Sequence, residues 1–245
     1  MKFEYDPNGI TVIDNAIPKE SHIELWNYFT SAMFLWQWGG IIWSQEIYDP
    51  DGEMNFQTVR EVPIIYNKQL CRVLYRDDRA LFKDDLYFTF KKDMKPTDGF
   101  ISMATENAQC LKMMGPILSN LGIERSQLSR IKVNNTPPKT ENIFTGYHVD
   151  CKPQWRGNGM TAIYYFNTTN GCTRFKNHEN VECVANRLVI FPNNQLHGGT
   201  FQTDKQNRVV ANINWVHKDW VDSKDYSDWK FVDHVPGPPG PDDPY

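Results

Sequence analysis

Leu128-Ser129-Arg130-Ile131-Lys132-Val133-Asn134 is where this sequence changes its period. Apolar and polar residues alternate through it, the two-residue period of a strand. Towards the C-terminus, strand-like runs return at 160–167, 187–191 and 208–216. Turn-forming clusters separate them: Asn134-Asn135-Thr136-Pro137-Pro138, Asn167-Thr168-Thr169-Asn170-Gly171, Pro192-Asn193-Asn194 and Asp204-Lys205-Gln206-Asn207. Many short strands at near-regular spacing predict a sandwich or barrel.

Towards the N-terminus the period lengthens. From about 105 to 121, Ala108, Leu111, Met114, Leu118 and Leu121 recur every three or four residues, a helical spacing that Pro116 should kink or split. Residues 36–62 are rich in Gly, Trp, Asp and Asn and predict loops with one hairpin at most; Trp26, Trp36, Trp38 and Trp43 cluster nearby as packing for an irregular region. An amphipathic helix is expected after Pro18, with apolar Ile23, Trp26 and Phe29 flanked by Leu25 and Tyr28. The β-branched run Ile10-Thr11-Val12-Ile13 reads as a strand. The fold class expected is α+β, mainly β. A supporting region over 1–127 packs on a β core over 128–220, and a Pro/Gly-rich tail over 221–245, extended or disordered, ends one structural domain.

Charged residues are 23% of the 245 and hydrophobic ones 40%, enough for a sizeable core. The formal net charge of -4 disfavours a phosphate-tracking surface, so nucleic acid is an unexpected partner. Five cysteines, an odd number without CxxC spacing, argue against a disulfide framework or zinc knuckle. Met1-Lys2-Phe3-Glu4-Tyr5-Asp6 has no apolar signal core, and no apolar run nears the roughly 18 residues of a membrane span. A cytoplasmic protein with no membrane partner is expected.

Two of the six histidines head an HxD triplet, His148-Val149-Asp150 and His217-Lys218-Asp219. On a strand, positions i and i+2 can offer an imidazole and a carboxylate to one metal, and a second imidazole completes a 2-His-1-carboxylate triad with open positions. Context separates the triplets. After His148 come His197, within Phe191-Pro192-Asn193-Asn194-Gln195-Leu196-His197-Gly198-Gly199, and then Arg208; after His217 comes only His234, and no Arg. His217-Lys218-Asp219 therefore reads as a surface turn. His148, Asp150 and His197 suit Fe(II), and a guanidinium at Arg208 offers a two-pronged match to a carboxylate such as that of 2-oxoglutarate. By spacing alone they can equally be ordinary polar loop residues.

Four pieces occur in order: Tyr147-His148-Val149-Asp150; Ala162-Ile163-Tyr164-Tyr165-Phe166-Asn167; Gly171-Cys172-Thr173-Arg174-Phe175; and Asn186-Arg187-Leu188-Val189-Ile190-Phe191 leading to Leu196-His197-Gly198-Gly199 and Arg208. Through them the segment from Ile131 to Trp215 resembles the prolyl 4-hydroxylase-like branch of the Fe(II)/2-oxoglutarate-dependent dioxygenases. The texture is also similar to compact oxygenases of bacterial viruses, which would place the protein in host cytoplasm. The resemblance implies a double-stranded β-helix (jelly-roll) core with the iron at one mouth. It implies metal ligands His148, Asp150 and His197, and Arg208 on 2-oxoglutarate with Tyr165 as a further contact. It implies O₂ as co-reactant, ascorbate as reductant, and hydroxylation of a peptidyl, even prolyl, C–H bond with release of succinate and CO₂. Arg208 stands where prolyl hydroxylases often have Lys, and Cys172 replaces the second Gly of the usual turn, which puts proline itself in doubt. Two further readings use the same superfamily on a small molecule or nucleobase, or a non-catalytic jelly-roll module associated with a virion. A zinc hydrolase on the same triad would have no use for Arg208. The tail Pro236-Gly237-Pro238-Pro239-Gly240-Pro241 contains Pro-Pro-Gly and is itself a conceivable substrate.

Overall fold

The structure is a computed structural model that describes residues 2–31, 34, 36–40, 68–76, 108–124, 126–150 and 157–219. Ten strands and two helices are described: β1 Thr11–Ile13, α1 Lys19–Thr30, β2 Gln37–Gly40, β3 Lys68–Arg76, α2 Ala108–Leu121, β4 Leu128–Thr136, β5 Gly159–Tyr165, β6 Cys172–Phe175, β7 Val181–Glu182, β8 Arg187–Pro192, β9 His197–Gly199 and β10 Arg208–Val216.

All strand pairings are antiparallel, in a seven-stranded sheet of order β1-β8-β5-β10-β4-β3-β2 and a three-stranded sheet β7-β6-β9. Two bridges, Phe144 to Thr200 and His148 to His197, add the 144–148 segment beside β9. From β4 onward the chain therefore passes repeatedly between the sheets, the winding of a double-stranded β-helix. Ile163, Tyr165, Val189, Phe191 and Val210 of the large sheet pack with Phe175 and Val181 of the small one, so the sheets meet face to face. The fold is α+β, mainly β, and strands from both sides of residue 127 share the large sheet.

The other face of the large sheet lies under the helices. Leu25 and Phe29 of α1 and Cys110, Met114, Ile117 and Leu121 of α2 join Ile131, Val133, Ala162, Tyr164, Ile190, Ala211 and Ile213 in one core. Spacings of three and four put each helix's buried residues on one stripe. Ile23, expected inside, is 45% exposed; Leu25 and Phe29 make the contact. Pro116 does not split α2. It lacks the N–H that would reach the Lys112 carbonyl, and Lys112 is on the solvent side, where water can take that carbonyl. The helix stops at Gly122, whose φ of 68° is left-handed.

The period-two strands lie where expected. β3, β7 and β9 were not foreseen, and the Gly171–Phe175 piece continues from its turn into β6. β2 pairs with β3, beyond the 36–62 region. Trp26 and Trp36 pack at the edge of the helix-side core. Trp43 and the tail fall outside the described residues. β4 slips against β10 between Asn214 and Trp215, which puts Leu128 and Ile131, three apart, on the same side. His217-Lys218-Asp219 is a surface segment, with Lys218 paired to Glu124 at 2.7 Å.

Candidate metal centre

His148 and His197 face each other because their backbones do. Each backbone N–H donates to the other's carbonyl, at 2.8 and 3.0 Å, and the rings stand 4.7 Å apart between centroids. Gly198 permits this approach: a Cβ there would lie 2.0 Å from the Gly146 carbonyl oxygen. Two residues past His148, Asp150 turns inward, its side chain only 6% exposed. Its carboxylate lies 3.7 Å from His148 Nε2 and 3.9 Å from His197 Nε2, and ligand atoms of the three residues all fall within 4.8 Å of one another.

The protonation pattern suits a cation. His197 Nδ1 sits 3.0 Å from the Gln195 carbonyl, which can only accept, so the proton belongs on Nδ1. That leaves a lone pair on Nε2, which is buried and has no hydrogen-bond partner. Burial, reinforced by His197, pushes His148 down to about 4, and burial lowers His197 as well, so both rings are neutral at pH 7. Burial works the other way on Asp150. The Arg130 guanidinium, then the two imidazoles and the Asn212 hydrogen bond, outweigh it and hold the carboxyl well below the usual range. Two neutral imidazoles and an ionised carboxylate, converging on one point, make the donor set of a facial triad.

Arg130 Nη2 reaches Asp150 at 3.2 Å, and Asn212 donates to its other oxygen at 2.9 Å. Arg130 Nε donates to Asn214 at 2.9 Å. Neither Arg130 nor Asn212 was foreseen in this role. The only signal was the alternation of 128–134, which puts Arg130 on the face opposite Ile131.

Arg208 opens β10 and is buried. Its Nη2 donates to Thr173 Oγ1 at 3.4 Å, its guanidinium lies 5.7 Å from the Tyr165 ring centre, and its Nε has no partner. Tyr165 donates to the same Thr173 hydroxyl at 2.7 Å. Gly171 and Gly199 leave room for the arginine: a Cβ would come within 3.1 Å of its Cδ or 3.4 Å of its Nη1. No carboxylate among the described residues pairs with it. Tyr164, on the opposite face, donates to Asn186 Oδ1 at 3.0 Å and meets His22 Nδ1 at 2.7 Å, tying α1 to the turn before β8.

His148, Asp150, His197 and Arg208 line one cavity of about 120 Å³, together with Arg130, Lys132, Asn134, Thr173 and Asn212. Among the described residues, Asp150 is its single carboxylate. Tyr165 is not among the lining residues and stands behind Arg208 and Thr173.

No protein-family model and no curated protein sequence matches the chain. Similar solved structures include prolyl hydroxylases and a 2-oxoglutarate/Fe(II) oxygenase family member. A Pseudomonas putida prolyl-4-hydroxylase is 12% identical over 86% of this chain and 94% of its own, with a TM-score of 0.41. A Trichoplax adhaerens prolyl hydroxylase, in complex with a hypoxia inducible factor peptide fragment, is 12% identical over 89% and 88%, with a TM-score of 0.43. The viral collagen prolyl hydroxylase of Paramecium bursaria Chlorella virus-1, in complex with 2-oxoglutarate, is 11% identical over 84% and 94%, with a TM-score of 0.42. Among the described residues no helix is long and apolar enough to cross a membrane.

Proposed function

We propose that the chain is an Fe(II)- and 2-oxoglutarate-dependent dioxygenase that hydroxylates a C–H bond, with His148, Asp150 and His197 as metal ligands and Arg208 on the cosubstrate. One observation carries this reading: a neutral-imidazole, ionised-carboxylate triad shares a cavity with a buried arginine that pairs with no carboxylate among the described residues. The donor set fits Fe(II), and the lone pair of His197 Nε2 is an atom such an ion would satisfy. Iron bound there, with 2-oxoglutarate and O₂, would supply oxidative decarboxylation to succinate and CO₂ and oxidation of the substrate.

The chain's own groups have separate tasks. The two imidazoles and Asp150 would hold the ion. Arg130 and Asn212 fix the carboxylate's orientation and keep it ionised. Arg208 takes the far carboxylate of 2-oxoglutarate, with Thr173 and Tyr165 holding its guanidinium in place. Phe175 and Phe191 pack by ring contact near His197 and exclude water from that side. On this reading the substrate is peptidyl, as the resemblance of 131–215 implies, and ascorbate keeps the metal reduced.

The test is succinate formation from 2-oxoglutarate, with Fe(II), ascorbate and O₂ and no added substrate. The wild type is expected to show slow turnover and His197→Ala none. No Fe(II) binding by the wild type would end the reading.

A further inference from the structure

Lys132 is a cation that the tasks above leave unused. It stands on the inner face of β4 between Arg130 and Asn134 and opposite Asn212 of β10. Of the three cationic side chains that line the cavity among the described residues, Arg130 is paired with Asp150, and Arg208 is set against Thr173 and Tyr165. Lys132 makes no hydrogen bond or ion pair among the described residues. Burial lowers its pKa, a loss that Cys71 and Asp150 only partly counter while Arg130 adds to it.

Such a lysine is costly. A surface lysine keeps its ammonium in water, whereas a half-buried one without an anion loses hydration and gains nothing. A divalent ion at the triad would worsen the imbalance, since 2-oxoglutarate can offset the metal but not Lys132 as well. The cavity would then be net positive within a chain whose formal net charge is -4. The complement is an anion brought by the substrate.

We propose that the substrate presents an anionic oxygen group to Lys132, the carboxylate of an acidic residue or a phosphoryl group, and that this contact selects which C–H bond faces the metal position. The inference rests on the dioxygenase reading and adds a substrate class to it. Arg130 is already held by Asp150 and Asn214, so Lys132 acts as a single point charge.

The experiment is calorimetric titration of the full chain, loaded with Co(II) and saturating 2-oxoglutarate, with acetate, inorganic phosphate and neutral acetamide. At least one anion should bind and acetamide should not. Lys132→Gln should weaken the anion about tenfold or more, while Lys132→Arg retains it. Preference for acetate identifies a carboxylate, and preference for phosphate a phosphoryl group. Lys132→Met, close in shape, replaces the Gln variant if thermal unfolding shows that variant to be misfolded. Binding of neither anion to the wild type, or unchanged affinity in the neutral variants, overturns the proposal. Co(II) and 2-oxoglutarate binding are measured first in the same instrument. Their absence would end the dioxygenase reading and the substrate assignment with it, whereas Co(II) and 2-oxoglutarate binding without a Lys132-dependent anion would overturn this proposal alone.

Discussion

Stepping one residue along a strand of the seven-stranded sheet exchanges one environment for another. On the helix side, Ile131, Val133, Ala162, Tyr164, Ala211 and Ile213 belong to a continuous apolar core. On the inner side, the neighbours of those residues form a gradient. Towards β8 and β5 they are Val189, Phe191 and Ile163, packed on the small sheet; towards β10 and β4 they are Asn212, Arg130 and Lys132, lining the cavity. The helix side must be uniform because two amphipathic helices have nowhere else to bury their stripes. The inner side is free to be polar wherever the small sheet does not close over it. Packing and chemistry are thus separated by one residue of register.

The strongest way to break this separation is a pair of variants. Phe29→Ala, on the helix side, should lose about 3–5 kcal/mol in denaturant unfolding and leave Co(II) affinity intact. Asp150→Asn should lose metal affinity by more than about 100-fold and also cost stability, because the Arg130 guanidinium loses its buried carboxylate. If Phe29→Ala also weakened Co(II) binding, the two faces would not be independent.

Acid probes the inner side next. His148 titrates at about 4 in the fold and at 6.5 in the unfolded chain. Between those values the unfolded chain takes up a proton that the folded one refuses, so stability falls as pH drops through the window. For metal-free protein the loss is on the order of 3 kcal/mol by pH 4. Thermal unfolding from pH 7 to 5 should show the early part of it, and His148→Gln should flatten the slope. A flat wild-type profile would mean that the imidazoles are well hydrated.

The gentlest test uses adjacent tyrosines. Tyr164→Phe should cost about 1 kcal/mol of stability by freeing Asn186 and His22, with 2-oxoglutarate affinity unchanged. Tyr165→Phe loosens Thr173 beside Arg208 and should weaken 2-oxoglutarate about three- to tenfold. Equal effects from both would erase the distinction between the faces.

The sequence reveals most where one face is buried. β4, β5, β8 and β10 carry enough residues for a period of two to stand out. β9 has three residues and β7 two, too few for any period. Spacing alone left His148, Asp150 and His197 open to an ordinary loop reading and the family resemblance grouped them; the structure brings the three side chains together. Arg130 and Asn212 were not legible, since nothing local ties a residue of β4 or β10 to Asp150; only the register of β4 on β10 brings them together. Tyr165 was expected to contact 2-oxoglutarate; in the structure its hydroxyl donates to Thr173 and its ring lies beside Arg208.

The paired backbone bonds between His148 and His197 also bear on the order of events as the chain folds. The bridge closes a loop that contains all of β5, β6, β7 and β8, so it belongs among the slow, long-range contacts. On the dioxygenase reading, His148 and Asp150 would offer only two ligands until it forms, a weak grip. Metal loading would then be a late event that reports on completed folding.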